Sequence, residues 1–330
     1  MATSMNFSYM SGESVLYFYE VKETVMEVLI ATDGSKDATT ALMTATRLLR
    51  RDGSQLSILG VAPEFYAPRP KAGKGKSHVD KIRDAYRKKI PQEITRRLKE
   101  TQQMLCAEGW KAEALMEIGS PAEVIVRLAE EYDGTVVGAH GRHERTGPGL
   151  GPVASRVVEH APGTIVVGRE LIPGAGLRIL LAVDGSLAAE DALRVMVRTF
   201  NVASAEITLI HVIEAPWIRL GLEREWFDYP GNVFDRVDPE LRLERELRLE
   251  AEEIVEEVQS LLSRLGLSAS RIIEEGNPAT EILGQAEAGE YDLVVLGARG
   301  LADIKHKMLG SVSTKVARHA PCSVAVVKSG

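Results

Sequence analysis

The sequence predicts an α/β protein built from two tandem, doubly wound domains, each a five-stranded parallel sheet in the order 3-2-1-4-5. Three observations carry this. The chain is written twice. Strand-like and helix-like stretches alternate through each copy. The strands are near-continuous apolar runs, as in TVVGA and LVVLGA, which fit parallel strands buried on both faces.

The repeat is read from three pairs of segments. VLIATDGS (Val28 to Ser35) matches ILLAVDGS (Ile179 to Ser186). EIGSPAEVIVRLAEEYDGTVVGAHG matches EEGNPATEILGQAEAGEYDLVVLGARG, and VVEHAPGTIVVG matches VARHAPCSVAVV. Asp33 and Asp184 lie 151 positions apart, Gly119 and Gly276 157, and Gly138 and Gly297 159. Most of the slippage falls between the first and third strands, where a surface loop tolerates it.

In the second copy the elements follow in order. Arg178–Val183 is an apolar first strand, and Ser186 is a suitable N-cap for the helix after it. Ala205–Ile213 is the second strand. A long helix runs over about Pro239–Leu265, because Leu247, Ala251, Ile254, Val255, Val258, Leu261, Leu262 and Leu265 step by three and four into one stripe. Ser270–Glu274 is the third strand, and Pro278 opens a helix where its missing N–H is harmless. Asp292–Leu296 is the fourth strand, Ser311–His319 a helix and Ser323–Val327 the fifth strand. The first copy repeats this order, and right-handed crossovers follow. The divisions are an extension over 1–25 without a counterpart, domains over 26–170 and 177–330, and a join near Arg169 to Arg178, whose Pro173-Gly174-Ala175-Gly176 is turn chemistry.

Composition narrows the function classes. The chain has 330 residues, 45% apolar and 26% charged, with a formal net charge of −7. That balance argues against a general nucleic-acid binder, which needs a basic face. No apolar run reaches the roughly 18 residues of a membrane span. The first residues lack the basic start and apolar core of a signal peptide, so a cytoplasmic protein is expected. Two cysteines, Cys106 and Cys322, read as buried thiols and not as a disulfide framework.

Ligands of such sheets sit beyond the C-terminal strand ends, where the strand order reverses. In the order 3-2-1-4-5, strands one and four are neighbours. Asp-Gly-Ser after the first and the glycine loop after the fourth therefore face one crevice. The loop GARGLADIKHKMLGS has the spacing G-x2-G-x9-G-S, with Gly297, Gly300, Gly310 and Ser311. Glycine allows positive φ and close approach of a ligand. Ser311 opens a helix whose first N–H groups carry partial positive charge, an anion site suited to phosphate. The hydroxyls of Ser311 and Ser313 add donors, and Asp184 offers a carboxylate to a ribose or a divalent cation.

These motifs resemble the nucleotide-binding universal stress proteins, in tandem form, over about residues 26–330. The resemblance implies the Rossmann-like fold read above and a crevice for ATP, or for AMP or ADP, with magnesium. It implies that Asp184, beside Ala182 and Val183, lies against ribose and phosphates, and that Val212 presents its backbone to adenine. It further implies that Gly297, Arg299, Gly300, Gly310, Ser311, Val312 and Ser313 surround ribose and phosphates. It also implies dimerisation through the last strand. Here Ile165–Val167 and Ser323–Val327 can pair within one chain as a pseudo-dimer, with association of two chains left open.

The first copy keeps Asp33, Val61, Gly138, Gly141 and Gly151, but Pro152 and Ala154 stand where Ser311 and Ser313 stand. That removes one N–H and two hydroxyls. At about 1.5–3 kcal/mol for each bond to a charged group and about 1.4 kcal/mol per decade, affinity falls by up to several powers of ten. Arg142 or Arg145 can compensate. The first copy is thus a weakened site or one for another ligand.

Other features have plainer readings. Gly75-Lys76-Ser77 resembles the end of a phosphate-binding loop, but Pro70 replaces the required glycine and no strand precedes it, so a basic linker is expected, with a phosphate lid as the other reading. Arg83, Arg87, Lys88 and Lys89 read as a solvated helix face. His160 and His319, at equivalent positions, read as helix C-caps, and His211 as a core histidine. VLYFYEV in the first 25 residues is an edge strand, a groove cover or disordered. No metal-ligand cluster, GxSxG or HExxH is present, nor is Ser-Gly-Gly-x-Asp-Ser after either first strand. A nucleotide-binding regulatory protein with a protein partner leads. A slow ATPase or nucleotide hydrolase, and an interaction module without nucleotide, are the alternatives.

Overall fold

A computed structural model describes residues 25–64, 78–142, 149–174, 176–214, 239–300 and 309–328. The first copy contains β1 (Met26–Ala31), α1 (Lys36–Leu48), β2 (Ser54–Ala62), α2 (His78–Ala107), β3 (Lys111–Ile118), α3 (Pro121–Leu128), β4 (Gly134–Gly138), α4 (Pro152–His160) and β5 (Thr164–Gly168). The second contains β6 (Arg178–Ala182), α5 (Leu187–Thr199), β7 (Glu206–Ile213), α6 (Pro239–Arg264), β8 (Ala269–Glu275), α7 (Pro278–Ala288), β9 (Leu293–Gly297), α8 (Ser311–His319) and β10 (Ser323–Val327). Local chemistry sets the helix starts. The Ser35 and Ser186 hydroxyls accept from the Ala38 and Ala189 amides at 3.1 and 3.2 Å, and Pro121 and Pro278 occupy first-turn positions.

The strand order is β3-β2-β1-β4-β5-β10-β9-β6-β7-β8, so each half has the order 3-2-1-4-5 and the two halves form one ten-stranded sheet. Strands are parallel within each half, and β5 and β10 pair antiparallel, with Val167 opposite Val324 and Ile165 opposite Val326. The cores are shared too. On one face Leu48, Leu49 and Val166 pack in the same cluster as Met196, Phe200 and Ala325; on the other, Val157, Val158 and Ile165 pack with Val316, Ala317 and Val324.

Further contacts close the seam. Leu49 and Phe200, equivalent positions after α1 and α5, form an antiparallel bridge, flanked by Arg50 N to Thr199 O at 3.0 Å and Asn201 N to Leu48 O at 2.7 Å. The connection between the halves is pinned by buried Asp292, whose oxygens accept from the Ile172 and Arg178 amides at 2.8 and 2.9 Å.

The helix ends near the seam correct one reading. The carbonyls at the C-terminal ends of α4 and α8 are met by the residues just after the last strands, not by His160 and His319. Arg169 reaches across to Ala317 O at 2.9 Å and Cys322 O at 3.1 Å. Lys328 reaches back to Ala161 O at 2.6 Å and Glu159 O at 3.3 Å. A long cation from the opposite half reaches both orphan carbonyls and the negative end of the helix dipole. Burial, and secondarily the positive Arg299, pushes the Lys328 ammonium down to about 8 from 10.5. Between those values the unfolded chain holds a proton that the folded chain has released, so stability rises with pH there. We expect the stability of the wild type relative to Lys328→Met to climb between about pH 8 and 10.5 in denaturant melts. A flat difference would contradict this.

Cys322 is buried, which pushes its thiol up to about 11, but Cys106 is exposed and departs from the expected buried pair. Arg87, Lys88 and Lys89 are exposed on α2. Residues 1–24, Gly75-Lys76-Ser77 and Arg145 lie outside the described residues. Among those described, no helix is long and apolar enough to cross a membrane.

Candidate functional site

In the second half, β6 pairs with both β7 and β9, so the turns after β6 and β9 open side by side above the sheet. Asp184 follows β6. Its Oδ1 accepts the Ser186 amide at 3.0 Å, which fixes the carboxylate over the start of α5. Across from it, Gly300 comes so close that a Cβ there would sit 2.6 Å from Asp184 Oδ2.

The glycine loop needs its glycines for reasons other than positive φ. Gly297, Gly300 and Gly310 are absent from the left-handed region; the positive φ is at Gly185, in the Asp-Gly-Ser turn, at 75°. A Cβ on Gly297 would meet the backbone of Ala188 at 2.7 Å, so this glycine lets α5 lie against β9. Gly310 N donates to Ala298 O at 2.8 Å, and a Cβ on Gly310 would approach that same oxygen to 3.1 Å. Gly310 is the N-cap of α8 and has no capping side chain, so the first-turn amides are not claimed from within.

Ser313 also has a different job from the one expected. Its hydroxyl is buried and donates to Ala298 O at 2.7 Å, with Gly310 O at 3.0 Å. It ties α8 to the loop and is not a free donor. Ser311 is exposed at the crevice.

Ala182, Val183, Asp184, Val212, Gly297, Arg299, Gly300, Gly310, Ser311, Val312 and Ser313 all line one cavity of about 700 Å³. Leu247, Glu250 and Ile254 of α6 and Pro278 and Ile282 of α7 form its other walls. His211 lines it as well, where a core position was expected. Its Nδ1 donates to Val183 O at 2.9 Å, and burial holds its pKa below the usual imidazole range. The neutral ring then keeps Nε2 as an acceptor. Glu250 was not picked out, although it sits between Leu247 and Ile254 at helical spacing, a carboxylate on an otherwise apolar stripe.

The first half brings its own motif together differently. Val61 lies on β2, Gly138 ends β4, and Gly151 caps α4 with its amide on Ala139 O at 2.8 Å. A Cβ on Gly138 would strike the Asp37 backbone at 2.7 Å, the same helix-to-strand approach seen at Gly297. Gly141 follows in the loop, and beside it Arg142 folds onto the Asp33 turn. The Arg142 amide donates to Asp33 Oδ2 at 2.7 Å, its guanidinium donates to Asp33 O, and Ser35 N takes Oδ1 at 2.8 Å. Burial alone would raise the Asp33 pKa, but these hydrogen bonds and the Arg142 charge hold it below the usual carboxylate range. Arg142 thus satisfies Asp33 itself. Gly60 occupies the position of His211, and Ile94 and Leu98 of α2 crowd onto it, with Ile94 Cγ2 only 2.6 Å from where a Cβ would be. Ile94 and Leu98 thus pack where the second half has the His211 side chain.

Comparison with known proteins follows the same division. A model of the universal stress protein family matches residues 25–169 and again 177–328. A universal stress protein of Bacillus subtilis, YxiE, is 30% identical over 151 residues, 46% of this chain and 98% of the relative. One from Thermus aquaticus is 34% identical over 151 residues, 46% of this chain and 97% of the relative. A solved universal stress protein from Archaeoglobus fulgidus aligns over 92% of this chain and 98% of its own with a TM-score of 0.60 at 21% identity, a likeness of fold.

Proposed function

The chain belongs to the universal stress protein family in tandem form, and from that premise we propose that it is a regulatory protein that binds an adenine nucleotide in the crevice above β6 and β9. The observation that carries this reading is the convergence of eleven residues, from four separate stretches of sequence, on one cavity of about 700 Å³. That volume lies within the range of small-molecule sites, and its apolar walls with few polar groups suit a flat base.

The residues fit a nucleotide in kind. Uncapped amides at the start of α8 meet phosphate oxygens, with Ser311 and Arg299 beside them. Asp184, held by Ser186, takes a ribose hydroxyl or one face of a magnesium ion. No group of three or more metal-ligating side chains occurs among the described residues. Val212 edges the base, and Ser313 holds the loop in shape. In the first half Arg142 already engages Asp33, and Pro152 and Ala154 replace Ser311 and Ser313, which makes it the weaker of the two.

Titration calorimetry with ATP and magnesium is expected to give one nucleotide per chain. Two equal sites, or one that survives disruption of the second-half crevice but not of the first, would sink the assignment.

A further inference from the structure

A second cavity, of about 430 Å³, lies at the seam of the two halves; it borrows Ala139, His140 and Gly149 from the first-half glycine loop but takes its other walls from outside both nucleotide crevices. Its walls come from both halves: the first turn of α1, the ends of β4 and β5, and the C-terminal end of α8. We propose that it is a binding site for a small organic polyanion bearing phosphate or carboxylate groups.

The charges carry the inference. Lys36, Arg169 and Arg318 line the cavity together with His140 and His319, against the carboxylates Asp37 and Glu170. Asp37 is already engaged, for its Oδ2 accepts from the His140 amide at 3.2 Å and faces His140 Nδ1 at 3.0 Å. Arg169 spends its N–H groups on the carbonyls of Ala317, Arg318 and Cys322, so it adds charge and fixes the α8 wall, with little left to donate. Lys36 and Arg318 remain as the cations at the rim; Arg318 has only a long contact to Glu159, at 3.7 Å, with both side chains half exposed. With Asp37 turned to His140, the lining carries three cations against two carboxylates, a small positive excess in a chain of net charge −7.

The repeat supplies an internal control. The position equivalent to Lys36 is Leu187, and the one equivalent to Arg318 is Glu159. The fold therefore accepts an apolar and an acidic residue at these two places, and the packing does not demand the cations. Leu187 is 77% exposed, which shows that the Lys36 position is open to solvent. The positive wall exists on one side of the pseudo-twofold only.

The test uses the full chain carrying Gly300→Val, which weakens the nucleotide crevice. Inorganic pyrophosphate and citrate are titrated separately by calorimetry. Saturable binding of either that the rim substitutions weaken supports the site, and the tighter of the two shows whether phosphate or carboxylate is preferred. Adding Lys36→Leu and Arg318→Met, both at exposed positions, is expected to weaken that binding at least about tenfold, from two charge-assisted contacts. Lys36→Arg is expected to keep it. No saturable heat with either anion up to about 5 mM, weaker than any useful site, or an affinity unchanged by the double substitution, overturns the proposal. Because nucleotide is absent from the assay, its failure is separate from failure of the nucleotide reading.

Discussion

Gly300→Val lowers nucleotide affinity about a hundredfold and leaves the melting temperature nearly unchanged. A Cβ at residue 300 would lie 2.6 Å from Asp184 Oδ2, and valine adds two methyl groups to it. The carboxylate must then swing away, which breaks its bond to the Ser186 amide and moves it from the place proposed for ribose and magnesium. A lost charge-assisted hydrogen bond costs about 1.5–3 kcal/mol. At about 1.4 kcal/mol per decade that is one to two decades before occlusion by the methyls is counted. The fold survives because Gly300 sits in an exposed loop at the crevice and supports neither core. Calorimetry with ATP and magnesium reads the affinity, and circular dichroism the melting. Gly141→Val, the matching change beside Arg142, is expected to leave nucleotide binding unaltered. Wild-type affinity in Gly300→Val would place the nucleotide elsewhere.

The parts of this fold that depend on local sequence were the parts legible beforehand. Parallel strands buried on both faces must be apolar throughout, so β4 and β9 are plain in the sequence. The second-half elements lie within one residue of where periodicity and capping put them. What the sequence hid depends on partners far along the chain. The helix caps Arg169 and Lys328 serve carbonyls about 150 and 167 positions away, and nothing near them in sequence distinguishes them from other strand-end cations. The glycine spacing was visible but its reason was not: Gly297 yields to α5, and Gly300 to Asp184, through contacts that spacing alone does not show. The packing of Ile94 onto β2 in the first half follows from Gly60 standing in the place of His211. That difference is readable only when the two halves are aligned through β2 and β7, where the offset is 151 and not 159.

Phe200→Ala is expected to cost about 3–5 kcal/mol, the range for removing a fully buried phenylalanine, and to do so without splitting the unfolding transition. Phe200 is wholly buried and follows α5; its backbone bridges to Leu49 after α1, and its side chain belongs to a core cluster drawn from both halves. If the halves were separate domains leaning on each other, the loss would fall on one of them. The other would then melt at its original denaturant midpoint. The shared clusters argue otherwise, since Leu48, Leu49 and Val166 from one half and Met196, Phe200 and Ala325 from the other form one core. The antiparallel β5–β10 ladder runs directly beneath it. Destabilising either half at this point therefore withdraws support from its twin. Urea unfolding followed by both tryptophan fluorescence and circular dichroism tests this. Coincident curves shifted to lower midpoint bear out a single cooperative unit, whereas a second transition at the wild-type midpoint would show that the ten-stranded sheet comes apart at its centre.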